Sequence, residues 1–156
     1  MTHMTTDEKY MAKAIELAEK ARGCTSPNPM VGAIIVKDGR IIGEGYHQKA
    51  GEPHAEVYAL HQAGMDARGA TLYVTLEPCS HYGKTPPCAK RVIAAGISRV
   101  VIGMIDPTPL VAGKSLAMLQ EAGIEVEIGV LERQCVEMHE AFITYIKTGK
   151  PFVILK

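Results

Sequence analysis

The sequence predicts an α/β fold: a mixed five-stranded sheet with helices on both faces. Three observations lead there. A two-residue turn signal, Asp38-Gly39, joins two strand-like runs. Three units of helix followed by strand come after it. One of their strands, 99–105, is apolar almost throughout, the pattern of a strand buried on both faces.

The first helix opens at Thr5, which has capping-box spacing to Glu8. Met11, Ala14, Ile15, Ala18 and Ala21 then recur at helical spacing, and Gly23 ends the run. Thr25-Ser26-Pro27-Asn28-Pro29 is a loop fixed by two prolines. Strands are expected over 33–37 and 41–46, on either side of the turn. A helix over 54–63 ends near Gly64, and a strand of alternating type covers 71–76. A short helix over 88–95 is closed by Gly96. After the strand at 99–105 come a helix over 114–122, with Gly123 behind it, and a strand over 125–128. Leu131, Cys135, Met138, Phe142 and Tyr145 step by four and three along a last helix, which Gly149 and Pro151 terminate. That stripe is able to seal an interface as well as a core, and a homo-oligomer is expected.

Right-handed crossovers make the strands at 41–46, 71–76, 99–105 and 125–128 parallel, with 33–37 antiparallel to its hairpin partner. The loops carrying Asn28, His47, Cys79 and Asp106 then share one sheet edge. Open α/β sheets bind their ligands at that edge.

The chain has 156 residues, enough for one domain, expected over 1–150. Residues 151–156, Pro-Phe-Val-Ile-Leu-Lys, read as the start of a linker or as the first strand of an absent domain. Lys plus Arg and Asp plus Glu number 17 each, so no net field draws the protein to nucleic acid or to an anionic membrane. No apolar run reaches the length of about 18 residues that a membrane span needs. The first nine residues have no apolar core of a secretory signal, so the cytoplasm is the expected compartment. Thiols stay reduced there, which argues against a disulfide framework for Cys24, Cys79, Cys88 and Cys135. Cys24 and Cys135 lack metal context and are expected to be packing residues.

The chemistry is expected between 54 and 88. His54 and Glu56 stand two apart, which on a helix side splays them by about 200°. They serve one site only from the end of a helix, where first-turn side chains converge. Cys79 follows a strand, and Cys88 opens the next helix. One imidazole and two thiolates suit a Zn²⁺ ion and leave a fourth position for water, the mark of a catalytic site. Glu56 is left over to take the water proton and return it to a leaving group. Alone, His54 reads as a capping or surface residue, and two Cys nine positions apart are a weak signal. Together, H-x-E at a helix start and Pro-Cys after a strand make the zinc deaminase signature, here with eight residues between the cysteines in place of two. The eight-residue insert carries His81, Lys84 and Thr85. From composition alone it is a solvated loop; its place beside Cys79 favours contact with a phosphate.

The stretches SPNPMVGAIIV, GEPHAEVYAL, GATLYVTLEPCSHYGKTPPC and AGISRVVIGMIDPTPLVAGKS resemble the deaminase domain of riboflavin biosynthesis, and the likeness covers almost the whole chain. The resemblance implies a cytidine-deaminase-like three-layer α/β/α sandwich, with zinc on His54, Cys79 and Cys88 and Glu56 as proton shuttle. It implies hydrolytic removal of the 2-amino group of a 2,5-diamino-6-(5-phosphoribosylamino)pyrimidinone, releasing ammonia. The family's substrate residues fall on Asn28 and His47 near the pyrimidine, and on His81, Lys84 and Asp106 near ribose and phosphate, with Thr85 close by. A sugar contact falls on Thr108, where a hydroxyl stands in place of the family's Asn; Ser115 replaces a usual Gly. Relatives are mostly fused to a reductase, and residues 151–156 resemble that domain's first strand, so a reductase is expected in cis or as a separate partner. Another deaminase of this fold, acting on a free base or RNA, would favour a basic surface and a short C-x-x-C. A zinc module that only binds would need a fourth protein ligand. Gly113-Lys114-Ser115 and Gly43-Glu44-Gly45 are not phosphate-binding motifs, because Thr108 and Gln48 stand where further glycines are required.

Overall fold

Residues 4–25, 28–80, 86–107 and 112–148 are described by a computed structural model. Helix α1 (Thr6–Glu19) starts where the capping box places it. Thr5 N–H donates to Glu8 Oε1 at 2.8 Å, and Glu8 N–H donates to Thr5 Oγ1 at 3.1 Å. Strands β1 (Gly32–Lys37) and β2 (Arg40–Tyr46) meet at the turn, where Asp38 (φ 51°) and Gly39 (φ 75°) are both left-handed. Two consecutive positive φ values give the primed turn whose twist matches that of a hairpin. The remaining elements are α2 (Ala55–Ala63), β3 (Thr71–Leu76), α3 (Cys88–Ala94), β4 (Arg99–Met104), α4 (Lys114–Glu121), β5 (Glu125–Ile128) and α5 (Glu132–Thr148). After α2 the chain makes a 3₁₀ turn, Gly64–Ala67, that the sequence did not suggest.

The sheet order is β2-β1-β3-β4-β5. β1 runs antiparallel to both its neighbours, and β3, β4 and β5 are parallel. The expected strand directions therefore hold. Alternate residues of the central strands feed two cores. Ala33, Ile35, Leu72, Val74, Val100 and Ile102 pack with Ala55, Ala59 and Ala63 of α2, Val92 of α3 and Leu119 of α4. Ile34, Val36, Tyr73 and Val101 pack with Met11, Ala14 and Leu17 of α1 and with Cys135 of α5. Two helical layers thus enclose the sheet. The apolar stripe of α5 seals a core: Met138 and Phe142 cluster with Ala18 and Met30.

Two glycines of β2 set the distance to the site-bearing helix. A Cβ on Gly43 would collide with the carbonyl of Ala59, and one on Gly45 with that of Ala55. Their absence lets α2 lie directly on the strand. Gly103 does the same for Cys135 on the other face, and burial pushes that thiol up to about 12.

Two expectations need correcting. β3 does not alternate between core and solvent; it is buried on both faces from Leu72 to Leu76. Its polar Thr75 is tolerated because its hydroxyl accepts the Gly32 N–H at 3.2 Å. Cys24 is exposed, so only Cys135 is a packing thiol. Among the described residues no helix is long and apolar enough to cross a membrane. Residues 151–156 lie outside the described set.

A polar cluster ties α1 to the sheet at its far edge. Asp7 accepts from Tyr73 Oη at 2.6 Å and from both terminal nitrogens of Arg99, at 2.9 and 2.8 Å. The Arg99 hydrogen bonds hold the Asp7 carboxyl below its usual range against the opposing effect of burial. A depressed carboxyl contributes stability above its unfolded value, near pH 4, and loses it as pH falls through the folded value. Asp7→Asn is expected to lower stability at pH 7 by about 1–2 kcal/mol, allowing for partial solvent screening, and to flatten the acid side of the stability profile. Denaturant titrations at pH 7 and pH 3 check both parts; equal losses at the two values would remove the ionic contribution.

Candidate metal centre and active site

His54 is the N-cap of α2, with extended backbone (φ −74°, ψ 163°), and its side chain caps nothing. Helix α2 therefore begins at Ala55, and Pro53 stands before the cap rather than at the first helical position where Pro is favoured. The His54 ring is turned to two sulfurs. Nδ1 lies 3.3 Å from Cys88 Sγ and 3.7 Å from Cys79 Sγ. Cys88 is the first residue of α3, and its N–H donates to Cys79 Sγ at 3.1 Å. Cys79 follows β3, and its carbonyl accepts from Ala89 N–H at 3.1 Å, which docks the loop on the start of α3. The His54 nitrogen and the two sulfurs lie within 4.8 Å of one another, and among the described residues no fourth ligand joins the group.

A metal fits these three groups. With metal–sulfur bonds of about 2.3 Å and a metal–nitrogen bond of about 2.0 Å, a tetrahedron has N–S edges of about 3.5 Å. The two observed separations bracket that value. By donor type and by spacing the three groups could hold a metal ion.

Its electrostatics suit a cation. Cys79 is drawn down to about 4, first by a hydrogen bond from the Cys88 thiol. The same bond, with burial, pushes the Cys88 thiol up. The pair thus holds one thiolate and one thiol. His54 is raised above the ordinary imidazole range, chiefly by its hydrogen bond to Cys79. Glu56, the second residue of α2, is 3% exposed, and burial raises its carboxyl to about 7.

A pocket opens over this cluster, lined among others by Asn28, His47, His54, Glu56, Cys79 and Asp106. The topology expected from the sequence does bring these loops to one sheet edge. His47 is 2% exposed, and both its ring nitrogens are engaged. Nδ1 lies 3.0 Å from the Pro53 carbonyl, which can only accept, so Nδ1 carries the proton. Nε2 then accepts from Asn28 Nδ2 at 3.1 Å. Burial lowers His47 below the usual imidazole value, in keeping with this neutral form. His81, Lys84, Thr85 and Thr108 lie outside the described residues. Asp106 lines the pocket, half-buried.

Residues 4–104 match the model of the cytidine and deoxycytidylate deaminase zinc-binding region. The chain belongs to the cytidine and deoxycytidylate deaminase family. Within this deaminase family it is 57% identical over 150 residues to the riboflavin biosynthesis protein RibD of Escherichia coli (strain K12), covering 96% of this chain and 41% of that protein. A Thermotoga maritima structure, described as a diaminohydroxyphosphoribosylaminopyrimidine deaminase and 5-amino-6-(5-phosphoribosylamino)uracil reductase, is 51% identical with a TM-score of 0.84. The match covers 93% of this chain and 42% of that one. The Aspergillus oryzae Rib2 deaminase, a C-terminal deletion mutant in complex with DARIPP, is 28% identical with a TM-score of 0.70, covering 92% and 97%. The chain spans about two fifths of the length of the curated relatives it matches.

Sequence reasoning passed over one charged residue of this pocket. Glu77, between β3 and Cys79, also lines the pocket. The available signal was its position: a charged residue ending a strand of apolar character needs buried partners. The Asn28–His47 pair was likewise invisible as a pair, though both members were expected in the site.

Proposed function

We propose that the chain is a zinc-dependent deaminase of a phosphorylated ribosylaminopyrimidine, converting 2,5-diamino-6-(5-phosphoribosylamino)pyrimidin-4(3H)-one and water to 5-amino-6-(5-phosphoribosylamino)uracil and ammonia. The observation that carries this reading is a three-member His/Cys/Cys cluster with a buried carboxyl beside it. His54, Cys79 and Cys88 would hold the ion, and a mixed nitrogen and sulfur set at tetrahedral spacing favours zinc. When bound, zinc lowers the pKa of a coordinated water to near neutrality and acts as a Lewis acid.

The rest falls to the chain's own side chains. Glu56 takes a proton from the attacking water and delivers it to the departing amine. Burial keeps its proton affinity near neutral pH, where one group serves as acceptor and donor in turn. His47 fixes the Asn28 amide by accepting one of the two Nδ2 hydrogens, which sets which way the amide faces. Asn28 Oδ1 is then the acceptor that meets an N–H of the pyrimidine. Asp106, with His81, Lys84, Thr85 and Thr108, is assigned to ribose and phosphate on the family likeness. The length of the relatives and the printed description of the Thermotoga protein support a reductase that consumes the product, in the same polypeptide or as a separate partner.

Ammonia release separates this substrate from others of the family. With zinc-loaded protein, kcat/KM for the ribosylaminopyrimidine phosphate is expected to exceed that for dCMP or cytidine by roughly 10⁴-fold, the range a site built for specific polar groups reaches. Comparable turnover of dCMP would overturn the substrate assignment.

A further inference from the structure

Glu77 is the buried carboxylate that the chemistry above does not use. It is 6% exposed and follows the last residue of β3. Its N–H donates to the Met104 carbonyl at 2.9 Å, which extends the β3–β4 pairing by one step. Oε1 accepts from Asp106 N–H at 3.2 Å and from Gly113 N–H at 3.0 Å. Oε2 accepts from Ser115 N–H at 3.1 Å and from Ser115 Oγ at 2.8 Å. These four donors match the roughly four acceptor sites of an ionised carboxylate. They come from both ends of the connection between β4 and α4. Ser115, fully buried, lies in the first turn of α4, where backbone N–H groups have no partner within the helix. Glu77 therefore joins three things: the strand that leads into Cys79, the pocket residue Asp106, and the start of α4.

We propose that Glu77 is a positioning residue that fixes Asp106 in the pocket wall by tying it to the start of α4, and so sets substrate affinity rather than the chemical step. The proposal rests on the deaminase reading above. Glu77 acts through Asp106, because its own oxygens are filled by backbone and Ser115 donors. A carboxylate is required at this point. An amide keeps one acceptor oxygen and turns an NH₂ group towards donors that it cannot accept from.

Glu77→Gln in the zinc-loaded protein is the test. KM for the ribosylaminopyrimidine phosphate is expected to rise roughly 10- to 100-fold, the scale of buried donors left unpaired, with metal content unchanged. A kcat within about threefold of the parent assigns the loss to binding. The amides of Asp106, Gly113 and Ser115 are expected to exchange with deuterium faster than in the parent, while those of β1 do not. Ser115→Ala removes a single donor, so its KM rises less, and it adds little in the Glu77→Gln background because both changes break one network. An unchanged KM, a fall in kcat alone, or metal lost in step with activity would each overturn the proposal. If Glu77→Gln does not fold, Ser115→Ala decides: a KM rise at constant kcat supports the assignment, and no rise sinks it. Turnover by the parent protein tests the deaminase reading separately. Should the parent turn nothing over, amide exchange still reports on the anchoring, and unchanged exchange would overturn it.

Discussion

Glu56→Gln is expected to reduce kcat by on the order of 10³–10⁴-fold, the upper part of what a positioned proton-transfer group contributes. The substitution is close to isosteric. It keeps the backbone of the first turn of α2 and leaves His54, Cys79 and Cys88 as they are. Metal content is therefore expected to stay at one ion per chain, and KM to move little. That separation makes the result informative, because a collapsed site would lose metal and rate together. The environment of Glu56 supports the role. A carboxyl 3% exposed is costly to ionise, and although the helix start favours the charged form, burial wins and moves it to about 7. Metal analysis with steady-state kinetics decides the matter. A variant that retained a tenth of the parental rate would end the proton-shuttle assignment.

The second large effect concerns the metal. Removing the ion with a strong chelator is expected to abolish turnover, and zinc is expected to restore it. Cys88→Ala is expected to weaken zinc binding by more than about 100-fold, since a lost ligand costs more than a lost outer partner of a ligand. The thiol pair also gives binding a pH dependence with a definite sign. Cys88 is pushed up and holds its proton in the metal-free chain, whereas Cys79 is already a thiolate. Binding must expel the Cys88 proton, and that of the His54 imidazole wherever its raised proton affinity keeps it charged, so affinity should rise with pH by at least about tenfold per unit across neutrality. Competition with a chromophoric chelator from pH 6 to 8 measures this slope. A flat profile would mean that Cys88 does not bind as thiolate.

Much of the architecture could be read from local chemistry. The capping box at Thr5 and Glu8 and the Asp38-Gly39 turn each rest on contacts between near neighbours in sequence, and each is found as expected. Strand direction followed from the helix that returns the chain between successive strands, which is a property of the element order rather than of any one residue. What escaped was set by distant partners. Cys24 and Cys135 look alike in sequence, yet Gly103 makes room for one of them while the other meets solvent. Glu77 is hard to interpret until Asp106, Gly113 and Ser115 are seen to converge on it from the next crossover. The metal group was legible because its residue types are few and their chemistry narrow. The Asn28–His47 hydrogen bond was not, because nothing in spacing specifies which ring nitrogen faces which amide.

The hairpin turn lies at the end of β1 remote from the pocket. One strand of six residues, about 20 Å of extended chain, separates Lys37 from the loop that carries Asn28. A fluorophore or an immobilisation handle attached at 38–39 would thus sit on the opposite rim of the molecule. The protein could be tethered to a sensor surface there with the mouth of its pocket still facing the bulk solution.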